Sequence, residues 1–228
     1  MELEQLVQEP LHERAHSALR RALRSGRFKP GQTMTIRGLS KEFGISATPV
    51  REALQRLIAA QALRLQPNRT IIVPVLTKSR FQEITNVRLR LEGLAAQEAT
   101  PRLGRRDIRE LESLSSAMVE DIARKRFAQY LAHNERFHFL IYGASEMDFL
   151  LEMINLCWLQ TGPWLNELAS EGRFHSIANV AHDEIIACAS AGNAEGVREA
   201  VQADILEAAR LLERFLDDGE TQPLAEAV

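Results

Sequence analysis

The sequence predicts a mainly α protein with a small β-hairpin near its N-terminus, and three observations lead to this prediction. Apolar residues recur at steps of three and four over most of the chain, as in amphipathic helices. The β-prone runs cluster within residues 63–75. Charge is divided unevenly, with 13 Lys and Arg against 6 Asp and Glu in residues 1–78, and 15 against 25 in the rest. We therefore expect a basic N-terminal domain joined to an acidic helical domain.

Three helices are predicted at the N-terminal end. Residues 11–25 and 36–43 carry apolar side chains at helical spacing, and a glycine suited to a helix C-terminus follows each. In ISATPV, Ser46 or Thr48 provides an N-cap and the proline falls in the first turn, so residues 48–60 form the third helix. Two short helices around a glycine-containing turn are the layout of a helix-turn-helix.

A hairpin is predicted after the third helix. The segment KPGQT at 29–33 is interpreted as a turn, whereas residues 63–66 and 70–75 are β-prone. Pro67 begins the turn between them, and Asn68 can adopt a positive φ. Three helices followed by a hairpin make a winged helix-turn-helix.

From residue 79 onward the pattern is helical. Helices are predicted at 79–100, 105–126, 127–143, 147–164, 174–190 and 194–217. Glycine or proline interrupts the pattern between several of them, and six helices without a sheet form an all-α helical bundle with its own core. The predicted domains are a winged helix-turn-helix at 1–75, a linker at 76–78, an all-α domain at 79–218 and a flexible tail at 219–228.

The winged helix-turn-helix points to DNA. The second helix of the motif enters the major groove, and its N-terminal residues reach base edges. The guanidinium of Arg51 can donate two hydrogen bonds to guanine O6 and N7, or bind a phosphate. The hydroxyls of Ser46 and Thr48 suit phosphates or base edges. The candidate DNA contacts are Arg37 for the backbone, Ser46, Thr48, Arg51 and Gln55 on the helix, and Arg69 at the wing tip for the minor groove. The alternative is that Arg51 caps its helix or pairs with Glu52.

At this point the chain resembles a known family. GISATPVREALQRLIAAQAL (44–63), followed by a two-stranded wing, is similar to the head of GntR-family bacterial transcription regulators. The helical remainder, with VRLRLEGLAA (87–96) and NERFH (134–138), resembles the effector-binding FCD domain of the FadR group. Its six helices are similar to the VanR-like branch. The resemblance covers about residues 8–217. It implies that the all-α domain binds an effector and dimerises.

Two positions depart from the family pattern. The family often has an arginine that reads guanine where Ala47 stands, and often a glycine at the wing tip where Asn68 lies. The usual operator sequence of the family is therefore not carried over to this chain.

The segment HNERFH (133–138) lies on a predicted helix. Asn134 and His138 are four residues apart and share one face, whereas His133 and Glu135 point elsewhere. A metal site built on this face therefore needs further donors from other helices.

The resemblance implies which donors these are. In related metal-binding domains, an Asp-x-x-x-His pair is completed by a histidine at the position of His182 and another at position 204. Here Asn134 replaces the aspartate and Asp204 replaces the last histidine, so the implied ligands are Asn134, His138, His182 and Asp204. Two imidazoles and a carboxylate suit Zn²⁺, Ni²⁺, Mn²⁺ or Fe²⁺. Arg88 matches an arginine of the family. The resemblance therefore implies that its guanidinium makes a second contact with an effector carboxylate.

Alternatives remain for these residues. The pocket can be polar and free of metal, the histidines can simply pack in the core, and Arg88 can pair only with Glu92 four residues later. The other histidines, His12, His16, His133 and His175, lack partners at usable spacing and are predicted to lie at the surface. Trp158 and Trp164 are predicted to belong to the core or to a pocket wall.

The composition excludes several classes of protein. No apolar run approaches the roughly 20 residues that span a bilayer, so no membrane partner is expected. The N-terminal MELEQLVQEPLHER lacks the apolar core of a signal peptide. Cys157 and Cys188 form neither a CxxC pair nor a disulfide framework. We therefore expect a cytoplasmic protein.

The leading hypothesis is a one-component transcriptional repressor. A homodimer would bind an inverted repeat of double-stranded DNA, and a small organic acid or related metabolite in the helical domain would control that binding. Two alternatives are a metal-dependent enzyme with a two-His-one-carboxylate site and an architectural DNA-binding protein without an effector. The sequence lacks GxSxG, P-loop and GxGxxG motifs, which disfavours the enzyme.

Overall fold

The computed structural model of the chain describes residues 9–170 and 178–220. The elements are α1 (Leu11–Arg24), β1 (Thr33–Met34), α2 (Ile36–Phe43), α3 (Ala47–Ala59), β2 (Arg64–Leu65), β3 (Ile71–Ile72), α4 (Lys78–Ala99), a 3-10 turn (Thr100–Arg102), α5 (Arg105–Ala123), α6 (Phe127–Gly143), α7 (Asp148–Ser170), α8 (Ala178–Ser190) and α9 (Ala194–Glu220). A winged helix-turn-helix is followed by an all-α bundle, so the predicted fold class is confirmed. In this described part, no helix is both long and apolar enough to cross a bilayer.

The N-terminal domain is held by a compact apolar core between α1 and α3. Leu19 and Leu23 of α1 and Leu54 and Leu57 of α3 are at most 1% exposed. Each buried leucine contributes about 1.5–3 kcal/mol to folding. Between these two helices, α2 turns the chain sharply, because Gly44 ends it with a left-handed φ of 66°. This turn presents the N-terminus of α3 at the surface.

The wing differs from its prediction in two details. The sheet has three antiparallel strands in the order β1-β3-β2, so the predicted turn at 29–33 runs directly into a strand. At the wing tip, Arg69 adopts the positive φ of 65°, whereas Asn68 was expected to do so. The side-chain oxygen of Asn68 instead accepts a hydrogen bond from the amide of Thr70 at 3.0 Å, which makes an Asx turn.

The C-terminal bundle has a separate core to which each of its helices contributes. Its large, fully buried side chains include Phe81 of α4, Met118 of α5, Tyr130, Phe137 and Tyr142 of α6 and Trp158 of α7. Helix α4 packs along α9, and α5 packs along α6. Leu76, in the predicted linker, is also buried in this core, and the hydroxyl of Thr77 caps α4 by accepting from the amide of Arg80 at 3.2 Å.

Helix α7 is longer than predicted. The pair Gly162-Pro163 was expected to end it at 164, but the helix continues through Pro163 to Ser170. A proline inside a helix costs about 3 kcal/mol because it removes a hydrogen bond. Packing explains the continuation, since α7 is buried against the bundle on one side and against α1 on the other. The predicted start of the next helix at 174 and most of the predicted tail lie outside the described residues.

The two domains share an intimate contact between α1 and α7. Leu159 of α7 is 1% exposed and belongs to the apolar core of the N-terminal domain. Gly162 lies so close to the end of α1 that an added Cβ would meet the carbonyl oxygen of Leu23 at 2.4 Å and that of Arg24 at 2.6 Å. A glycine is therefore required where the two helices touch.

Candidate DNA-reading face and buried metal-ligand pocket

The residues predicted to contact DNA all lie at the surface of the N-terminal domain. Ser46 occupies the N-cap position of α3 without a capping bond from its side chain, so its hydroxyl is available to a ligand. The exposed set comprises Arg37 on α2, Ser46, Thr48, Arg51 and Gln55 at α3, and Arg69 at the wing tip. We name these six residues the reading face.

The arginines of the reading face lack acidic partners. Within the part of the chain that the structure describes, Arg37, Arg51 and Arg69 make no ion pair. The alternative pairing of Arg51 with Glu52 is therefore not observed, and the Glu52 carboxylate lies instead 3.6 Å from the Nδ1 atom of His12. Exposed guanidinium groups without partners are suited to phosphates and to base edges.

A small pocket lies inside the C-terminal bundle. Its polar lining includes Asn134 and His138 of α6 and Asp204 of α9, and its apolar wall includes Trp158 and Leu165 of α7. The enclosed space is ≈ 40 Å³. Since one water needs about 10–15 Å³ by this measure, the pocket accommodates a few water-sized groups.

Three of the predicted metal ligands cluster at the wall of this pocket, which His138 and Asp204 line directly. His138 of α6, His182 of α8 and Asp204 of α9 each offer a ligand atom, and these atoms lie within 4.8 Å of one another. The Nε2 atom of His138 lies 3.3 Å from Asp204 Oδ2, and the Nε2 atom of His182 lies 3.8 Å from Asp204 Oδ1. Asn134, one turn before His138, lines the same pocket.

The donor chemistry of this cluster fits a divalent cation. His182 is 0% exposed, yet neither of its ring nitrogens has a hydrogen-bond partner among the described residues. Burial lowers the pKa of His182 to about 4, so its imidazole is neutral. Burial alone would raise the pKa of Asp204, but the hydrogen bond from His138 and the positive charge nearby hold it below its ordinary value. Neutral imidazole and ionised carboxylate are the forms that bind metal.

A buried chain of hydrogen bonds orients His138. The Tyr142 hydroxyl donates to Glu92 Oε2 at 2.8 Å and lies 3.2 Å from His138 Nδ1. Since the hydroxyl has one hydrogen, its oxygen accepts from the Nδ1–H of His138. The Nε2 atom of His138 faces Asp204, and a bound metal ion would take the place of the proton in the hydrogen bond between them. Sequence reasoning missed Tyr142, although its spacing of four from His138 was a usable signal.

Arg88 forms the predicted alternative pair with Glu92 and also lines the pocket. Its Nε donates to Glu92 Oε1 at 2.5 Å and its Nη2 donates to Glu92 Oε2 at 3.3 Å, so the alternative pair forms. Arg88 also lines the pocket, where its guanidinium lies 4.9 Å from the ring centroid of Trp158. The positive charge is thus at the pocket, but Glu92 already occupies part of its donor set.

Three of the remaining histidines differ from the prediction that they lie at the surface without partners. His12 lies near two carboxylates, 3.5 Å from Glu13 and 3.6 Å from Glu52. His16 is buried at 8% exposure, and the Nδ1 atom of His133 lies 2.7 Å from an oxygen of the buried Asp121. Both differ from the prediction because the partner or cover comes from another helix. His175 lies outside the described residues.

Trp158 and Trp164 are buried, which confirms their predicted place in the core or pocket wall.

Comparison with known proteins gives two family matches. Residues 11–73 match the bacterial regulatory proteins of the gntR family, and residues 83–214 match the FCD domain. The HTH-type transcriptional regulator McbR of Escherichia coli K12 is 35% identical over 150 residues, which are 66% of this chain and 68% of McbR. The gluconate operon transcriptional repressor of Bacillus licheniformis is 28% identical over 141 residues, 60% of this chain and 56% of that protein.

A solved structure resembles the whole fold. E. coli McbR/YncC superposes with a TM-score of 0.84 at 28% identity, over 91% of this chain and 99% of that chain. The similarity therefore spans both domains.

Proposed function

This chain belongs to the GntR family of bacterial regulatory proteins and carries an FCD domain, and from this premise we propose that it is a transcriptional repressor controlled by a small organic acid. The effector would bind in the bundle pocket beside a divalent metal ion. One observation carries the proposal: the chain combines an exposed cationic reading face with a buried His138–His182–Asp204 cluster in its other domain.

DNA binding follows from the reading face. The N-terminus of α3 enters the major groove, where Arg51 donates to a guanine or a phosphate and the hydroxyls of Ser46 and Thr48 contact the backbone. Two such heads in a homodimer match an inverted repeat, because protein and operator then share a two-fold axis. The role of repressor is supported by the relative named as a repressor of the gluconate operon. Such a protein works in the cytoplasm, where the chromosome lies.

The pocket would hold the metal and the effector together. His138, His182 and Asp204 would ligate the ion, with the neutral side-chain oxygen of Asn134 as a weaker fourth donor. A bound divalent ion offers open coordination positions to a carboxylate, because one anionic protein ligand leaves it positively charged. Arg88 adds a further positive charge to the wall, and Trp158 and Leu165 give it an apolar side; the ≈ 40 Å³ of space suits an acid of only a few non-hydrogen atoms.

Control requires that the effector bind two arrangements of the protein with different affinities. An acid that binds more tightly to the arrangement unable to engage the operator shifts the population toward it and releases DNA. An acid with equal affinity for both arrangements would have no effect.

The proposal is tested with the purified full chain. We expect salt-sensitive, sequence-selective binding to DNA from the promoter region of its own gene in a fluorescence anisotropy titration. Native mass spectrometry with elemental analysis should report a dimer with a divalent metal lost in His138→Ala. Absence of selective DNA binding would overturn the repressor assignment. A metal-free protein that binds DNA without responding to any organic acid would be the architectural protein instead.

A further inference from the structure

We propose that Arg24, in the last turn of α1, is the residue through which the state of the bundle pocket reaches the DNA-binding domain. Its partners are Glu135 and Phe139 of α6 and Asn155 of α7. This inference rests on the proposed function, since it gives the route by which that pocket controls operator binding. Arg24 lies outside both the reading face and the pocket, so its part is to position one domain on the other.

Arg24 makes a dense set of contacts across the domain interface. Its Nη2 lies 2.5 Å from Glu135 Oε1, and its Nη1 donates to the side-chain oxygen of Asn155. Its guanidinium also lies 4.3 Å from the ring centroid of Phe139. The side chains of Arg24 and Glu135 are only 14% and 12% exposed. Charge-assisted hydrogen bonds shielded in this way depend strongly on geometry.

Helix α6 connects these contacts to the pocket. Asn134 and His138 line the pocket, and the next residues along the chain, Glu135 and Phe139, contact Arg24. Because α6 is continuous from Phe127 to Gly143, a rotation or shift that adjusts the pocket residues must also displace their neighbours. One rigid element therefore serves both places.

A second connection runs through packed aromatic rings. The ring of Trp158, in the pocket wall, lies 5.6 Å from the His138 ring and 5.3 Å from the Phe139 ring. Phe139 is the ring over which Arg24 lies. Because protein interiors are packed without slack, a displacement of His138 or Trp158 is transmitted to Phe139.

The rest of the interface is suited to act as a pivot. Leu159 and Gly162 hold α7 tightly against α1 through apolar and backbone contacts that leave little room for adjustment. Arg24 provides the adjustable part, since its Nε is buried with no hydrogen-bond partner among the residues described. A buried N–H without a partner is costly, so a modest shift of α6 can change the energy of this contact.

The test perturbs the pocket in two ways and compares Arg24→Met with the wild type. Zn²⁺ alone is one perturbation, and Ala208→Leu, which fills the pocket from α9 without metal, is the other. The readouts are affinity for the promoter DNA and hydrogen exchange in the last turn of α1. Arg56→Met is the control variant, because Arg56 forms an exposed ion pair with Glu13 at 2.6 Å within the DNA-binding domain.

In the wild type and in Arg56→Met, we expect either perturbation to change promoter affinity by about fivefold or more, the lower end of ordinary allosteric coupling. Exchange in the last turn of α1 should change in parallel. In Arg24→Met, both responses should disappear, while promoter affinity in the unperturbed protein and Zn²⁺ affinity stay at their wild-type values. Should Arg24→Met fail to fold, Glu135→Gln tests the same contact from α6.

Equal changes of promoter affinity in wild type and Arg24→Met would overturn the proposal. The same holds if neither perturbation changes hydrogen exchange in the last turn of α1 of the wild type. Failures of the proposed function give different results. If the wild type binds no Zn²⁺, the metal part of the proposed function is wrong, but the Ala208→Leu comparison still tests the role of Arg24. If the wild type binds no promoter DNA, the repressor assignment is wrong, but hydrogen exchange in the last turn of α1 still tests the role of Arg24.

Discussion

Arg51, like Arg37 and Arg69, makes no ion pair within the described residues, since the nearby Glu52 lies beside His12 instead. Removing it should therefore cost DNA binding without disturbing the fold. We expect Arg51→Ala to weaken promoter binding by about 1–3 kcal/mol, and to lower the slope of affinity against salt by about one if the contact is a phosphate. Anisotropy titrations at several salt concentrations measure both. Arg124→Ala, which removes an exposed pair with Glu120 in the bundle, should bind DNA like the wild type.

The buried cluster makes a graded prediction about metal affinity. His182→Ala removes a ligand and should weaken Zn²⁺ binding by more than about 100-fold, beyond the range of supporting residues. Tyr142→Phe removes only the hydroxyl that orients His138, so a loss of about 10–100-fold is expected. Competition with a chromophoric chelator measures both affinities. If the two variants bind Zn²⁺ as well as the wild type, the cluster is a metal-free polar pocket.

The neutral form of His182 makes the metal-free protein sensitive to acid. Burial lowers its pKa to about 4 from an ordinary 6.5, so the unfolded chain takes up the proton first as the pH falls. Stability is therefore complete above the unfolded value and is lost as the pH falls toward the folded one. With EDTA present, the unfolding free energy should drop by about 2 kcal/mol more between about pH 7.5 and about pH 5 in the wild type than in His182→Gln. An equal fall in unfolding free energy in the wild type and in His182→Gln would contradict the argument.

The sequence predicted individual site residues where a local rule or a family position applied. Helical spacing selected Asn134 and His138, and the resemblance added His182 and Asp204, all of which line or adjoin one pocket. Contacts between distant segments follow no such rule. The pair of Arg24 and Glu135 joins residues far apart in sequence, and the same reason explains why the partner of His133 on α5 was missed.

Among the helices, the largest error occurred where tertiary packing outweighed a local signal. Gly162-Pro163 is a strong helix-breaking pair, yet α7 continues because both of its sides are buried. Helices flanked by solvent-exposed turns, such as Ile36–Phe43 and Phe127–Gly143, were predicted with their observed boundaries. Periodicity and caps therefore sufficed for these two helices but not for the helix at the domain interface. Helix α5 was predicted to reach residue 126 but ends at Ala123, because Lys125 adopts a positive φ of 55°.

Gly162 offers a direct test of that interface. In Gly162→Ala the new Cβ would meet the Leu23 carbonyl oxygen at 2.4 Å, and backbone cannot move aside as a flexible side chain can. We expect a loss of about 1–3 kcal/mol in the free energy of unfolding, measured by urea denaturation. The control is Gly143→Ala, at the end of α6, where an added Cβ meets nothing within 4 Å. That change should be neutral or slightly stabilising, and equal effects of the two substitutions would argue against a tight contact.

In the whole molecule, the candidate DNA contacts and the candidate metal ligands lie in different domains. The reading face is exposed and cationic, whereas the His138–His182–Asp204 cluster is enclosed in the acidic bundle. The α1–α7 contact and Arg24 join the two domains, and we propose that this contact couples DNA binding to the pocket. This arrangement is what a one-component regulator needs, because the signal must cross from one domain to the other within a single chain.

The cluster also links three helices, so metal removal should affect the stability of the bundle as a unit. His138, His182 and Asp204 come from α6, α8 and α9, and a bound ion would hold these helices together. Free metal at about a thousandfold above Kd stabilises the folded state by about 4 kcal/mol, which corresponds to a rise in Tm on the order of 10 °C. Calorimetry of Zn²⁺-loaded and EDTA-treated protein measures the difference. His138→Ala should show no dependence on EDTA, and a wild-type Tm that is the same with Zn²⁺ and with EDTA would mean that no ion bridges the three helices.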